Sequence, residues 1–202
     1  GEALPPRSLA TVRKRLRAGL ADELPDVRMY AVMALGRVGP AAAEDVPGML
    51  ALLDDDSTLV RGTAANALGE VGAAALPAIE KALASTEGDR AASLLWALRL
   101  IGDPALPALR GALEHSVPSV RVQAAMKLWE LDQAVEASVA VLVAALEGKD
   151  EDATRLAARG LARMGTAGAA ARPVLEGMRD HPDDVVRSAV RSALQRMGPD
   201  DE

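Results

Sequence analysis

Catalysis needs a nucleophile, an acid–base pair or a metal, and this chain carries few side chains able to supply one. Its two histidines, His115 in "EHSVP" and His181 in "DHPDD", stand 66 residues apart, which matches no recognised metal-ligand spacing. Both fall where a helix should end, so the expected role is a surface partner for the helix dipole. "DDDST", Asp54 to Thr58, gathers carboxylates that could suit a divalent cation. It lacks the glycine and distal glutamate of a calcium loop, and Asp and Ser ahead of a helix start are leading cap residues. Lys149 to Asp152 and Asp183–Asp184 repeat that position and read as caps as well. There is no cysteine, which removes disulfides, thiolate metal sites and a thiol nucleophile together. No glycine-rich phosphate loop is present, because the glycines end apolar segments instead of opening them. No catalytic residue, metal or cofactor is expected.

The elements around these residues are set by an unusual apolar composition. Hydrophobic residues make up 50% of the 202 positions, yet there is no Phe, one Tyr and two Trp. The core must be built from Ala, Leu, Val and Met, which favours closely packed helices over strands. The formal net charge is −6, so the average field repels nucleic acid and anionic membranes. No uncharged apolar run approaches the ~18 residues of a membrane span, and no membrane insertion is expected.

Self-similarity at a fixed period organises the chain. "VRMYAVMALGRVG" ends at Gly39 and "VRGTAANALGEVG" at Gly72; "RAASLLWALRLIG" ends at Gly102 and "VRVQAAMKLWELD" at Asp132; "ATRLAARGLARMG" ends at Gly165 and "VRSAVRSALQRMG" at Gly198. The intervals are 33, 30, 30, 33 and 33 residues. Counting back from each terminal residue, position −4 is always Leu and −8 and −1 are always apolar, as in Ala64, Leu68 and Val71. That stripe is the buried face of a helix with 3.6 residues per turn. The terminal glycine is the left-handed stop, with Asp132 the one departure. A shorter apolar segment precedes each copy, opened by Pro47, Pro77, Pro107 and Pro173, with Ala140 in that place in the fifth and "LATVRKRLRAGL" serving the first. The unit is a pair of antiparallel helices, repeated six times. One pair cannot bury both faces, so neighbours must stack. An arginine recurs in "VR" as Arg28, Arg61, Arg121 and Arg187, displaced by one at Arg90 and Arg155. Its expected partner is an Asp or Glu of an adjoining turn, such as Asp26 or Asp56, in preference to an anion track.

These second helices resemble HEAT repeats of the short bacterial, phycobilisome-lyase-like kind, whose pattern is "D-x-x-V-R-x-x-A-x-x-A-L-G-x-x-G". The resemblance covers nearly the whole chain; the ankyrin and tetratricopeptide signatures are missing. It implies an all-α fold, a right-handed α-solenoid of about six helical-hairpin repeats forming a single domain over residues 1–202, with the second helices lining the concave side. The HEAT-like di-iron hydroxylases carry paired His-Glu motifs, and none occurs here. HEAT-like DNA glycosylases need a strongly basic groove, which −6 argues against.

Positions −9, −6 and −2 lie off the apolar stripe and should face a groove. The −6 ladder reads Met33, Asn66, Trp96, Met126, Arg159 and Ser192. The −9 ladder runs from Tyr30 through Thr63 and Ser93 to Ala189, and the −2 ladder includes Arg37, Glu70, Leu100, Glu130, Arg163 and Arg196. Trp129 stands at −3, in place of the usual Gly of that pattern. Trp96 and Trp129 have two readings, as anchors for a partner or as filler where the middle repeats are shortened. Arg155, Arg159 and Arg163 stand four apart, a stripe that is either a solvated face or a dock for acidic groups.

The expectation is a non-catalytic scaffold or adaptor for a protein or peptide with an acidic segment. Tyr30, Met33, Trp96, Met126 and Trp129 would hold the partner, and Arg159, Arg163 and Arg196 would contact its acidic groups. Three other readings stand beside it: an accessory module of a larger enzyme, a chromophore-lyase-like subunit, and a nucleic-acid binder. The first rests on the missing initiator Met and on an end at "MGPDDE" without a clear polar capping helix.

Overall fold

The computed structural model describes residues 6–131 and 133–198. Asp132 and the end of "MGPDDE" from position 199 lie outside the described residues. Among the described residues twelve α-helices alternate as first and second helices, as the period predicts. The first helices are α1 (Pro6–Gly19), α3 (Val46–Ala51), α5 (Leu76–Leu83), α7 (Leu106–Gly111), α9 (Val135–Leu146) and α11 (Arg172–Gly177). The second helices are α2 (Pro25–Gly36), α4 (Thr58–Val71), α6 (Gly88–Ile101), α8 (Pro118–Glu130), α10 (Glu151–Met164) and α12 (Asp184–Met197). No strand occurs among the described residues. The chain divides into two compact units, 1–108 and 109–202.

Within the first unit, α2 packs on α4 and α4 on α6, while α1, α3 and α5 each pack on the second helix that follows. Within the second unit, α8 packs on α9 and α10, and α10 on α12. The −8 and −4 residues of all six second helices are buried, with Leu35, Leu68, Leu98, Leu128 and Leu161 fully so. Each is a large apolar side chain whose removal from water drives the stacking.

Gly39, Gly72, Gly102, Gly165 and Gly198 all have positive φ, between 56° and 78°, a region a side chain disfavours. Beyond them the chain continues as 3₁₀ turns, Gly39–Asp45, Gly72–Ala75, Asp103–Ala105 and Gly165–Ala171, whose lengths carry the difference between the 30- and 33-residue repeats. Pro47, Pro77, Pro107 and Pro173 each occupy the second position of the helix that follows. In the fifth repeat no proline bars the way, and α9 starts five residues ahead of Ala140, at Val135. Ahead of α9, Ala134 has a positive φ of 51°.

The arginine ladder is structural, but its constant partner is backbone. Arg28, Arg61, Arg121 and Arg187 each donate from Nη1 to the carbonyls six and five residues earlier: Asp22 and Glu23, Asp55 and Asp56, His115 and Ser116, His181 and Pro182. The anticipated Asp26 takes no part in this motif, and Asp56 enters through its carbonyl. The carboxylate that Arg28 does reach is Asp55 of the next repeat, through paired bonds of 2.6 and 2.8 Å.

The same turn explains the histidines. The first acceptor residue of each motif also receives the N–H two residues on: Asp22 from Leu24 at 2.9 Å, Asp55 from Ser57 at 2.9 Å, His115 from Val117 at 3.1 Å and His181 from Asp183 at 3.2 Å. His115 and His181 thus use Nδ1 where other repeats use Asp, a turn hydrogen bond in addition to their place at a helix end. Asp150 caps Ala153, and Asp183 caps Val185 and Val186, as the sequence suggested. Asp55 of "DDDST" holds the turn before α4 instead of capping the helix itself.

Candidate binding faces of the second helices

In the first unit, the −6 and −9 positions present Tyr30, 60% exposed, a half-buried Met33, an exposed Asn66 and Trp96, 38% exposed. Trp96 Nε1 donates to Asn66 Oδ1 at 2.8 Å, joining the same register of consecutive repeats. The Arg99 guanidinium lies 4.1 Å from the Trp96 ring centroid, a cation–π contact that fixes the indole plane. Gly69 faces Leu100 of the next helix and Gly36 faces Ala67, so small residues at −3 let neighbouring helices approach closely. Thr63 and Ser93 donate their hydroxyls to the Leu59 and Asp89 carbonyls on their own helices.

In the second unit the expectation for Met126 is corrected: its side chain is buried, not presented on a face. The cause is Gly160 on α10, where a Cβ would stand 2.7 Å from Met126 Sδ; the missing side chain lets the thioether lie against the helix. Ala189 is likewise buried, and Trp129 is half-buried against the core of this unit. The Arg163 guanidinium sits 5.7 Å from the Trp129 ring centroid and donates to Glu130 Oε1 at 2.9 Å. Glu130 also accepts from Lys127 Nζ at 3.1 Å. Burial pushes the Glu130 carboxyl up, but the bonds from Lys127 and Arg163 outweigh it and leave it below the ordinary glutamate range. Arg196 donates to the Ala162 carbonyl at 3.0 Å. Arg159 is exposed and makes no hydrogen bond or ion pair among the described residues.

Two neighbouring hollows share Arg159 and Arg163. One of about 560 Å³ between α10 and α12 has Arg196, Val185 and Ser192 on its walls. One of about 230 Å³ between α8 and α10 has Met126, Leu156 and Lys127. Val185, 50% exposed, was not singled out from sequence. Its signal was available, because position −13 is Asp or Ser in four of the repeats and apolar only at Leu59 and Val185. Arg155 is removed from this face: it pairs with Asp183 at 2.6 Å and with Glu151 and Asp152. Among the described residues no cluster of His, Asp or Glu could hold a metal ion, and no helix is long and apolar enough to cross a membrane.

The profile of the HEAT repeats matches residues 13–99 and 106–195. The chain belongs to the HEAT-repeat family. Among solved structures, this HEAT protein is similar to an engineered protein at 18% identity and a TM-score of 0.53, covering 93% of this chain and 98% of that one. It also matches the CpcE–CpcF complex of phycocyanin lyase from Nostoc sp., at 24% identity and TM-score 0.42 over 96% of each chain. A computationally designed armadillo repeat protein for modular peptide recognition matches at 18% identity and TM-score 0.47, over 93% of this chain and 99% of that one. Among curated proteins, none matches.

Proposed function

We propose that this HEAT protein is a non-catalytic scaffold whose second-helix faces hold a protein or peptide partner bearing acidic groups. The contacting residues are Tyr30, Met33 and Trp96 on the first unit and Trp129, Arg159, Arg163 and Arg196 on the second. The observation that carries this reading is the contrast between two sets of arginines. Those tied to the repeat period spend their donors on backbone carbonyls of their own turns, whereas Arg159 is exposed with no partner among the described residues. A long side chain held in solvent without a structural bond costs nothing to the fold when given to a ligand, and Arg is a common anchor of interfaces. The family supports a binding role in kind, since stacked repeats offer extended surfaces whose variable positions choose the partner.

The test is affinity capture with the full chain, comparing wild type with Trp96→Ala and with Arg159→Glu. A partner retained by wild type and lost from at least one variant is the expected result; equal capture by all three proteins would refute the assignment of these faces.

A further inference from the structure

We infer that the groove formed by α8, α10 and α12 takes a peptide segment in which an acidic side chain stands beside an aliphatic one. The inference rests on the scaffold reading and narrows it to one occupant at one place.

The charge of the groove comes first. Lys127, Arg159, Arg163 and Arg196 line the two hollows against a single carboxylate, Asp184, which is itself paired with Arg187. Glu130, just outside, is shared between Lys127 and Arg163. The groove is therefore positive on a chain whose net charge is −6, and a positive concavity of this kind selects an anionic occupant.

Pre-organisation comes second. Arg163 is held by Glu130 and by the Trp129 ring, and Arg196 by the Ala162 carbonyl, so both guanidiniums are already placed with donors to spare. Each can donate to a carboxylate without losing the freedom that a mobile side chain would forfeit. Arg159, one helical turn before Arg163, supplies the donor that nothing yet engages.

The floor is the third point, and it is apolar. Met126, Leu156 and Val122 line the smaller hollow, and Val185 stands on the rim of the larger. A bare carboxylate would leave that floor wet. At about 230 Å³ the smaller hollow lies below the ~300–1,000 Å³ of small-molecule sites and suits an aliphatic side chain. A nucleic-acid strand would bring charge, but flat bases in place of the aliphatic side chain that a hollow of this size suits.

The experiment selects short random peptides on the full chain, then measures binding of the enriched sequences by fluorescence anisotropy. Each is tested beside an analogue with Gln and Asn for its acids, an analogue with Ser for its aliphatic residues, and a single-stranded oligonucleotide. The expected result is enrichment of acidic–aliphatic sequences, with each analogue and the Arg159→Glu protein weaker by about tenfold or more. Arg159→Lys should keep part of the affinity, which separates charge from folding. Enriched peptides that are neutral, or that bind Arg159→Glu unchanged, would overturn this inference and leave the scaffold reading standing; so would tighter binding of the oligonucleotide. Failure to enrich any peptide would count against both.

Discussion

At the scale of single residues, the repeat register separates side chains that build the fold from those left over. His181 shows how this works, because its neighbours in the sequence suggest surface chemistry while its position in the repeat assigns it a turn. The Nδ1 that accepts the Asp183 N–H does what Asp22 and Asp55 do in other copies. His181→Asp should therefore fold with wild-type stability, whereas His181→Ala should lose about 0.5–1.5 kcal/mol, the usual net worth of one hydrogen bond, in urea unfolding. Equal losses for both would remove the turn assignment. This role was hidden in the sequence because the ladder arginines bind carbonyls, and a carbonyl has no residue type to read. Met126 was misplaced for a related reason. Its burial is decided by the absence of a side chain at Gly160 on the next repeat, which periodicity within one helix does not register.

At the scale of elements, two devices join neighbouring helix pairs, and each makes a prediction. The first is close approach. A Cβ on Gly36 would stand 2.7 Å from the Ala67 Cα, and backbone cannot yield as a flexible side chain can. Gly36→Ala should destabilise by about 1–3 kcal/mol as α2 is pushed off α4, despite alanine's better helix propensity, and a gain in stability would contradict this packing. The second is the bridge from Arg28 to Asp55. Hydrogen bonds from Arg28, with the Ser57 N–H adding to them, outweigh burial and hold the Asp55 carboxyl below its ordinary value of 3.8. The folded protein then binds this proton less readily than the unfolded chain does. The bridge contributes in full above the ordinary carboxylate range, and its contribution drains away as pH falls through the lowered value. Asp55→Asn should lower the urea midpoint at neutral pH and flatten the acid limb of the stability curve; an acid limb of unchanged slope would show the bridge to be idle. The stripe, the terminal glycines and the helix-opening prolines were all legible in sequence, since each is a local rule that recurs along the chain, six, five and four times respectively. The early start of α9 was legible only in hindsight, through the missing proline at Ala140.

At the scale of the molecule, six copies of one structural part leave function to the positions where the copies differ. That division was readable from the sequence as far as which ladders vary. What it left open was which variable residues had been absorbed into the fold, as Met126 and Arg155 are, and which remain available, as Arg159 is. The most direct test uses two positions on α10, two residues apart. Leu161 is fully buried and belongs to the period; Arg159 is exposed and does not. A titration of the captured or selected acidic partner, run with a urea curve on each protein, should find Arg159→Glu at the wild-type midpoint with its binding lost. Leu161→Ala should be destabilised by about 2–5 kcal/mol, yet bind normally where it remains folded. If Arg159→Glu instead unfolds as early as Leu161→Ala, or binds as well as wild type, the separation of structural and functional positions proposed for this HEAT array is wrong.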